Sequence, residues 1–199
     1  MSIKAIIFDL DGVLVSTKEI HYQALNEAIS QCDSSYIISL DDHLSTYDGL
    51  PTKEKLKILV KKGLNIDYVP KIEKNKKTIT KNLLSSSIKF NQDIFDSFKF
   101  FKKNNYKLAI ATNAIRDTLD IIITKLKILE FIDFSISNEE INNSKPHSEI
   151  YLKCFLSLGV NPKESLILED SAIGRKAAYN SGSHVMEIND LNDINLEKI

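Results

Sequence analysis

The chain has 199 residues, 43% of them hydrophobic, and 26 lysines and arginines against 27 acids give a formal charge of −1. That length can bury a proper core and suits one domain plus an inserted or small second one. The charge balance offers no basic excess for nucleic acid, and Arg116 and Arg175 are the only arginines, the residue that base readout and bidentate phosphate clamps favour. No apolar run approaches membrane-spanning length, so no membrane partner is expected.

Residues 3–8 (Ile-Lys-Ala-Ile-Ile-Phe) are nearly all apolar, which predicts a central strand buried on both faces of a parallel sheet. Asp9 and Asp11 then stand at its carboxyl end, where ligands bind in open α/β sheets, and Gly12 allows a sharp turn after them. The alternative is a strand followed by an ordinary acidic turn. Met1 and the next few residues lead straight into this strand, so no signal peptide is expected and the compartment is expected to be the cytoplasm.

Residues 15–87 read as helices. Tyr22, Leu25 and Ile29 recur at helical spacing, as do Leu56, Leu59 and Val60, with Gly63 as a terminator, and Ile72, Ile79 and Leu83 mark a third helix. Residues 53–81 hold ten lysines against Glu54, Asp67 and Glu73. Most of these lysines are expected on a solvated face; a few can raise the local concentration of an anionic substrate.

Residues 107–113 (Lys-Leu-Ala-Ile-Ala-Thr-Asn) predict a second buried strand ending in a hydroxyl and an amide. Thr112 and backbone N–H groups there suit a phosphate. The alternative role is to cap the helix that Leu119, Ile122, Ile123 and Leu126 describe, and both roles can hold at once because a helix start also attracts anions. Lys145-Pro146 follows a short run at residues 134–138, and on its own it reads as a solvated charge. Cys154 falls on an apolar helix face with Ile150, Tyr151 and Leu158; with Cys32 it is expected to be a free thiol. Residues 165–170 (Ser-Leu-Ile-Leu-Glu-Asp) predict a further buried strand that ends in Glu169 and Asp170, followed by Ser171 and Gly174. Two acidic strand ends in one small sheet repel unless a hard divalent ion, Mg²⁺ by preference, sits between them. Residues 184–188 read as another strand, and the eleven residues after Ile188 are few for a further edge strand.

Asp9-Leu10-Asp11-Gly12-Val13, Ala111-Thr112-Asn113, Lys145-Pro146 and Glu169-Asp170-Ser171 resemble, in order, the four motifs of the haloacid dehalogenase (HAD) superfamily. The likeness is closest to the branch of β-phosphoglucomutase and phosphoglycolate phosphatase-like enzymes. It implies an α/β fold, a Rossmann-like core with a parallel sheet (residues 1–14 and 88–199) plus an inserted α-helical cap (residues 15–87) that sets substrate specificity. It further implies Asp9 as nucleophile, Asp11 as general acid and base, and Thr112, Asn113 and Lys145 as phosphoryl-binding groups. Mg²⁺ would be held by Asp9, the Asp11 carbonyl and Asp170, with Glu169 as a direct or indirect ligand. In the cap, Thr17 and His21, the loop 49–53 with Lys53, and Lys74-Asn75 resemble the branch's substrate contacts. For His21, plain packing is the alternative.

Ser16 and Ser148 stand where the branch often has an acid and a proline, and a Pro-Gly pair is missing near Phe90-Asn91. The dehalogenases lack an acid at the Asp11 position, so the resemblance implies phosphoryl transfer. A phosphatase acting on a small phosphorylated metabolite is the expected activity, with a sugar phosphomutase as alternative and a non-catalytic binding module as a more remote one. A monomer or weak dimer is expected.

Overall fold

The computed structural model describes residues 2–47 and 50–188. Gly49, which opens the loop 49–53, and the tail after Ile188, where loss of an edge strand is expected, lie outside the described residues. In chain order the elements are β1 (Ala5–Phe8), α1 (Lys18–Ser30), α2 (Leu40–Ser45), α3 (Thr52–Lys61), α4 (Val69–Ser87), α5 (Gln92–Lys103), β2 (Lys107–Ala111), α6 (Arg116–Lys125), β3 (Phe134–Ile136), α7 (Glu149–Leu158), β4 (Ser165–Glu169), α8 (Ala172–Asn180) and β5 (His184–Glu187). Among the described residues these strands form one parallel sheet in the order β3-β2-β1-β4-β5.

β1 is central because it is apolar on both sides. Ala5 and Ile7 join the core built by Ile150, Tyr151, Cys154 and Phe155 of α7 and by Ala177 and Ala178 of α8. Phe8 points the other way and stacks on Phe98 of α5 with centroids 4.8 Å apart. Each such large side chain stabilises the fold by roughly 1.5–3 kcal/mol relative to leaving it exposed. Without the Pro-Gly pair, α5 starts on Asn91, whose side chain accepts from the Ile94 N–H at 3.1 Å, a substitute of ordinary capping strength.

The register decides where chemistry sits. Phe8 pairs with Ile110 on β2 and Leu168 on β4, so the next residues, Asp9, Ala111 and Glu169, come to one level at the carboxyl edge. The Asp9 N–H donates to Leu168 O at 3.0 Å, extending the ladder one step. After β1 the chain builds outward through β2 and β3, then returns to place β4 on the other side of β1. The crevice of such a sheet opens at that reversal.

The chain divides into two compact units, residues 1–16 with 88–199 and residues 17–87. The second has its own core, in which Leu25 and Ile29 of α1 meet Leu56 and Leu59 of α3 and Ile72 of α4. Asn26 fastens the segment before α2 by exchanging hydrogen bonds with the Ile38 N–H (2.9 Å) and carbonyl (2.8 Å). Gly63 follows the end of α3 at φ +112, a left-handed angle that suits glycine. The short α2 is not signalled by any apolar period; Ser39 starts it by accepting from the Asp42 N–H.

Candidate active site

Lys145 is the hub. Expected on its own to be a solvated charge, it is buried, and its Nζ reaches Asp9 Oδ1 at 2.6 Å, Glu169 Oε2 at 2.7 Å and Ala111 O at 3.0 Å. Three strand ends are thereby tied by one ammonium. The turn carrying Lys145 is fixed by Asn113, whose amide accepts from the Lys145 N–H at 3.2 Å and donates to the Lys145 carbonyl at 3.5 Å. Neither Thr112 nor Asn113 caps α6; Ile115 occupies that position with no side-chain bond. Thr112 Oγ1 instead accepts from the Ala114 N–H at 3.0 Å, closing the turn after β2.

Glu169 is buried and held at both oxygens. Oε2 also accepts from the Tyr151 hydroxyl at 2.6 Å, and Oε1 from Ser171 Oγ at 3.1 Å and the Ser171 N–H at 3.3 Å. Ser171 in turn caps α8 by accepting from the Gly174 N–H, so the carboxylate lies at a helix start, where negative charge is favoured. Two glycines make room for acids. A Cβ on Gly12 would stand 2.0 Å from Asp170 Oδ2, and one on Gly174 2.0 Å from the Glu169 carboxyl carbon. Gly12 also sits at φ +92. Gly174→Ala is therefore expected to push Glu169 away from Lys145 and lower stability by about 1–3 kcal/mol despite alanine's better helix propensity. Urea unfolding of the variant checks this, and a gain in stability would show that Glu169 is free to move aside.

Asp9, Glu169 and Asp170 each bring a carboxylate oxygen within 4.8 Å of the others. Burial pushes the Asp9 carboxyl well up, Glu169 and Asp170 add to that, and Lys145 opposes it. Glu169, although buried, stays below the usual carboxylate range because Lys145, Tyr151 and Ser171 favour its charge. Burial would lower the Lys145 ammonium, but Asp9 and Glu169 hold it above its ordinary value. Lys145 pairs with Asp9 and Glu169, and Asp170 lies beside them. The hard-oxygen donor set fits a divalent ion such as Mg²⁺. Asp11, two residues past Asp9, is half-buried, and the Gly12 N–H donates to Val15 O at 2.7 Å to close its loop.

Sequence reasoning missed four groups. Tyr151 was read as apolar packing only; a tyrosine on an aliphatic face signals a hydroxyl that needs a partner. Gly174 and Ser171 were noted without a role. Arg175, one turn into α8, donates to the Asp170 carbonyl at 2.6 Å and steadies that residue.

In the unit formed by residues 17–87, His21 is half-buried and its Nδ1 has no hydrogen-bond partner among the described residues. Burial, then Lys76, Lys55 and His43, push it well below its usual range, so it is neutral at pH 7. Lys53 and Lys74 are exposed, and Asn75 binds Gln31 at 2.6 Å. Of the ten lysines only Lys55 is buried and only Lys76 is half-buried. Lys76 follows Ile72 by one turn and precedes Thr80 by another, a spacing that places it on the packed face.

This arrangement defines the class first: an α/β protein with Rossmann-like strand order that gathers carboxylates at the ends of its strands. The family follows. The haloacid dehalogenase-like hydrolase family profile matches residues 6–188, and the chain belongs to that family. Among its relatives, a phosphorylated carbohydrates phosphatase of Thermotoga maritima is 29% identical over 180 residues, covering 90% of this chain and 82% of that protein. The pyrophosphatase PpaX of Bacillus cereus is 26% identical over 194 residues, covering 92% and 82%. A crystal structure of β-phosphoglucomutase from Clostridium difficile superposes with a TM-score of 0.84 at 22% identity, covering 98% of this chain and 95% of that one, which shows the fold. Among the described residues no helix is long and apolar enough to cross a membrane.

Proposed function

We propose that the chain is a Mg²⁺-dependent phosphatase that hydrolyses a small phosphorylated metabolite, a sugar phosphate or similar, through an aspartyl-phosphate on Asp9. The observation that carries this reading is the Asp9 carboxylate at the sheet's carboxyl edge, 2.6 Å from a buried lysine and two residues before Asp11. The phosphatase names of the relatives support it.

Phosphate monoesters resist hydrolysis so strongly that catalysed enhancements approach ~10²¹, so several effects must act together. Asp9 attacks phosphorus, the ester bond breaks, and Asp11 protonates the departing oxygen. Asp11 then takes a proton from water, which attacks the phosphoryl group and restores Asp9. Splitting one displacement into two lowers each barrier, and the proton transfers contribute about 10²–10⁴-fold. Lys145, the Thr112 hydroxyl and the Asn113 N–H neutralise phosphoryl oxygens. Asp9, Asp170 and the Asp11 carbonyl would hold Mg²⁺, which would supply further charge neutralisation. Glu169 serves that site indirectly: its oxygens are engaged by Lys145, Tyr151 and Ser171.

We assign substrate selection to residues 17–87 acting as a cap. His21, Lys53 and Lys74 remain its substrate-binding candidates by resemblance. The burial of Lys55 and half-burial of Lys76 beside neutral His21 add two cations to that set.

A phosphate-release screen over sugar phosphates, phosphoglycolate and nucleotides, with Mg²⁺ or EDTA, tests the reading. Release is expected only with Mg²⁺, with loss in EDTA and inhibition by Ca²⁺, whose looser, higher coordination misaligns the nucleophile. Full activity in chelator contradicts the metal site. Conversion of β-glucose 1-phosphate to glucose 6-phosphate with little free phosphate contradicts hydrolysis and favours a phosphomutase.

A further inference from the structure

An ammonium has three N–H donors. Those of Lys145 are taken by Asp9, Glu169 and Ala111. A phosphoryl oxygen arriving at Asp9 finds no proton left, so one bond must be exchanged, and the three acceptors are unequal. Lys145 is the one side-chain donor to Asp9 among the described residues, and losing it would leave the nucleophile uncompensated. Ala111 is a backbone acceptor on a fully buried residue. Glu169 alone has replacements in place: the Tyr151 hydroxyl at 2.6 Å on the same oxygen, with the Ser171 hydroxyl and N–H on the other.

We propose that Tyr151 is a positioning residue that keeps Glu169 supplied with a donor, so that Lys145 can exchange its Glu169 bond for a phosphoryl oxygen as charge develops there. The proposal rests on the phosphatase reading. The ring contributes separately: Lys145 Nζ lies 5.0 Å from its centroid, so the ammonium has a π face beside it as it moves. Without the hydroxyl, Glu169 holds Lys145 more firmly, and less of the ammonium's charge reaches the reacting group. Nothing about Tyr151 requires contact with substrate; it acts through Glu169 and Lys145.

Tyr151→Phe removes the hydroxyl and keeps the ring. On a substrate that the screen has shown the wild type to hydrolyse, kcat is expected to fall about tenfold, the size of one charge-assisted hydrogen bond. KM should stay within about twofold, and the inhibition constant of orthovanadate, which mimics the five-coordinate phosphorus, should rise by the same factor as kcat falls. In a Glu169→Gln background the same substitution should have no further effect, because the residue through which it acts has lost its charge. Ser171→Ala, which strips a donor from the same carboxylate, should lower kcat in the same direction and serves if Tyr151→Phe does not fold. Unchanged kcat in both variants overturns the proposal, as does an equal fall caused by Tyr151→Phe in the Glu169→Gln background. A wild type that releases no phosphate in the screen instead contradicts the phosphatase reading itself.

Discussion

Asp9→Asn is expected to give a folded protein whose phosphate release is at least about 10⁴-fold slower than wild type, the scale seen when a covalent nucleophile is removed. The amide is close in size, so packing between β2 and β4 is kept. It cannot attack phosphorus as an anion, and it offers a cation a weaker ligand. Folding should not suffer, because burial and the Glu169 charge already disfavour a carboxylate at this place. The melting temperature is expected to be unchanged or a little higher in metal-free buffer. Purified variant that keeps a tenth of wild-type turnover would remove Asp9 from the chemistry.

Lys145→Met carries the second large effect, and this one falls on stability as well as activity. The substitution preserves most of the apolar stem but strips Asp9 and Glu169 of the ammonium 2.6 Å and 2.7 Å away. Breaking a buried ion pair from one side costs about 3–5 kcal/mol, or roughly 10 °C in melting temperature for a chain of this size. Turnover should fall by about 10²–10³ through loss of phosphoryl neutralisation. The pH dependence has a definite sign. Without Lys145 both carboxyls are pushed up, and a group whose folded pKa is raised is most stable protonated, with that stability lost as pH rises through the folded value. The deficit relative to wild type should therefore be largest near neutral pH and shrink as pH falls toward 4. Equal melting temperatures at pH 7 would contradict the hub role.

Much of the core was legible because β1, β2 and β4 are buried on both faces and so read as unbroken apolar runs that stop abruptly at polar residues. That stop marks the candidate site: Asp9 and Glu169 come to one level with Ala111, and Thr112 follows one residue on. The helices of residues 17–87 were visible from Leu25 and Ile29, from Leu56 and Leu59, and from Ile72. What could not be read was the side-chain wiring. Lys145 is far in sequence from Asp9, and only tertiary register brings them together. The grip of Asn113 on the Lys145 backbone, the hydroxyl of Tyr151 on Glu169 and the tight approach of Gly174 to the same carboxylate all depend on where α7 and α8 dock. Thr112 and Asn113 carried two readings, helix cap or phosphate site, and the start of α6 at Ile115 removes the first. In residues 17–87 the family pattern points to Lys53 and Lys74, both exposed, while burial picks out Lys55 and Lys76.

The central claim is that the phosphoryl group passes through Asp9. Rapid mixing of labelled substrate with wild type and with Asp11→Asn, followed by acid quench and peptide mapping, tests it most directly. Loss of the Asp11 base should slow attack of water on the intermediate and let it build up. The account predicts label on the peptide containing Asp9, stable in acid, released by hydroxylamine, and formed no later than free phosphate. Label appearing only as free phosphate, with no covalent species at the earliest times in either protein, would contradict it.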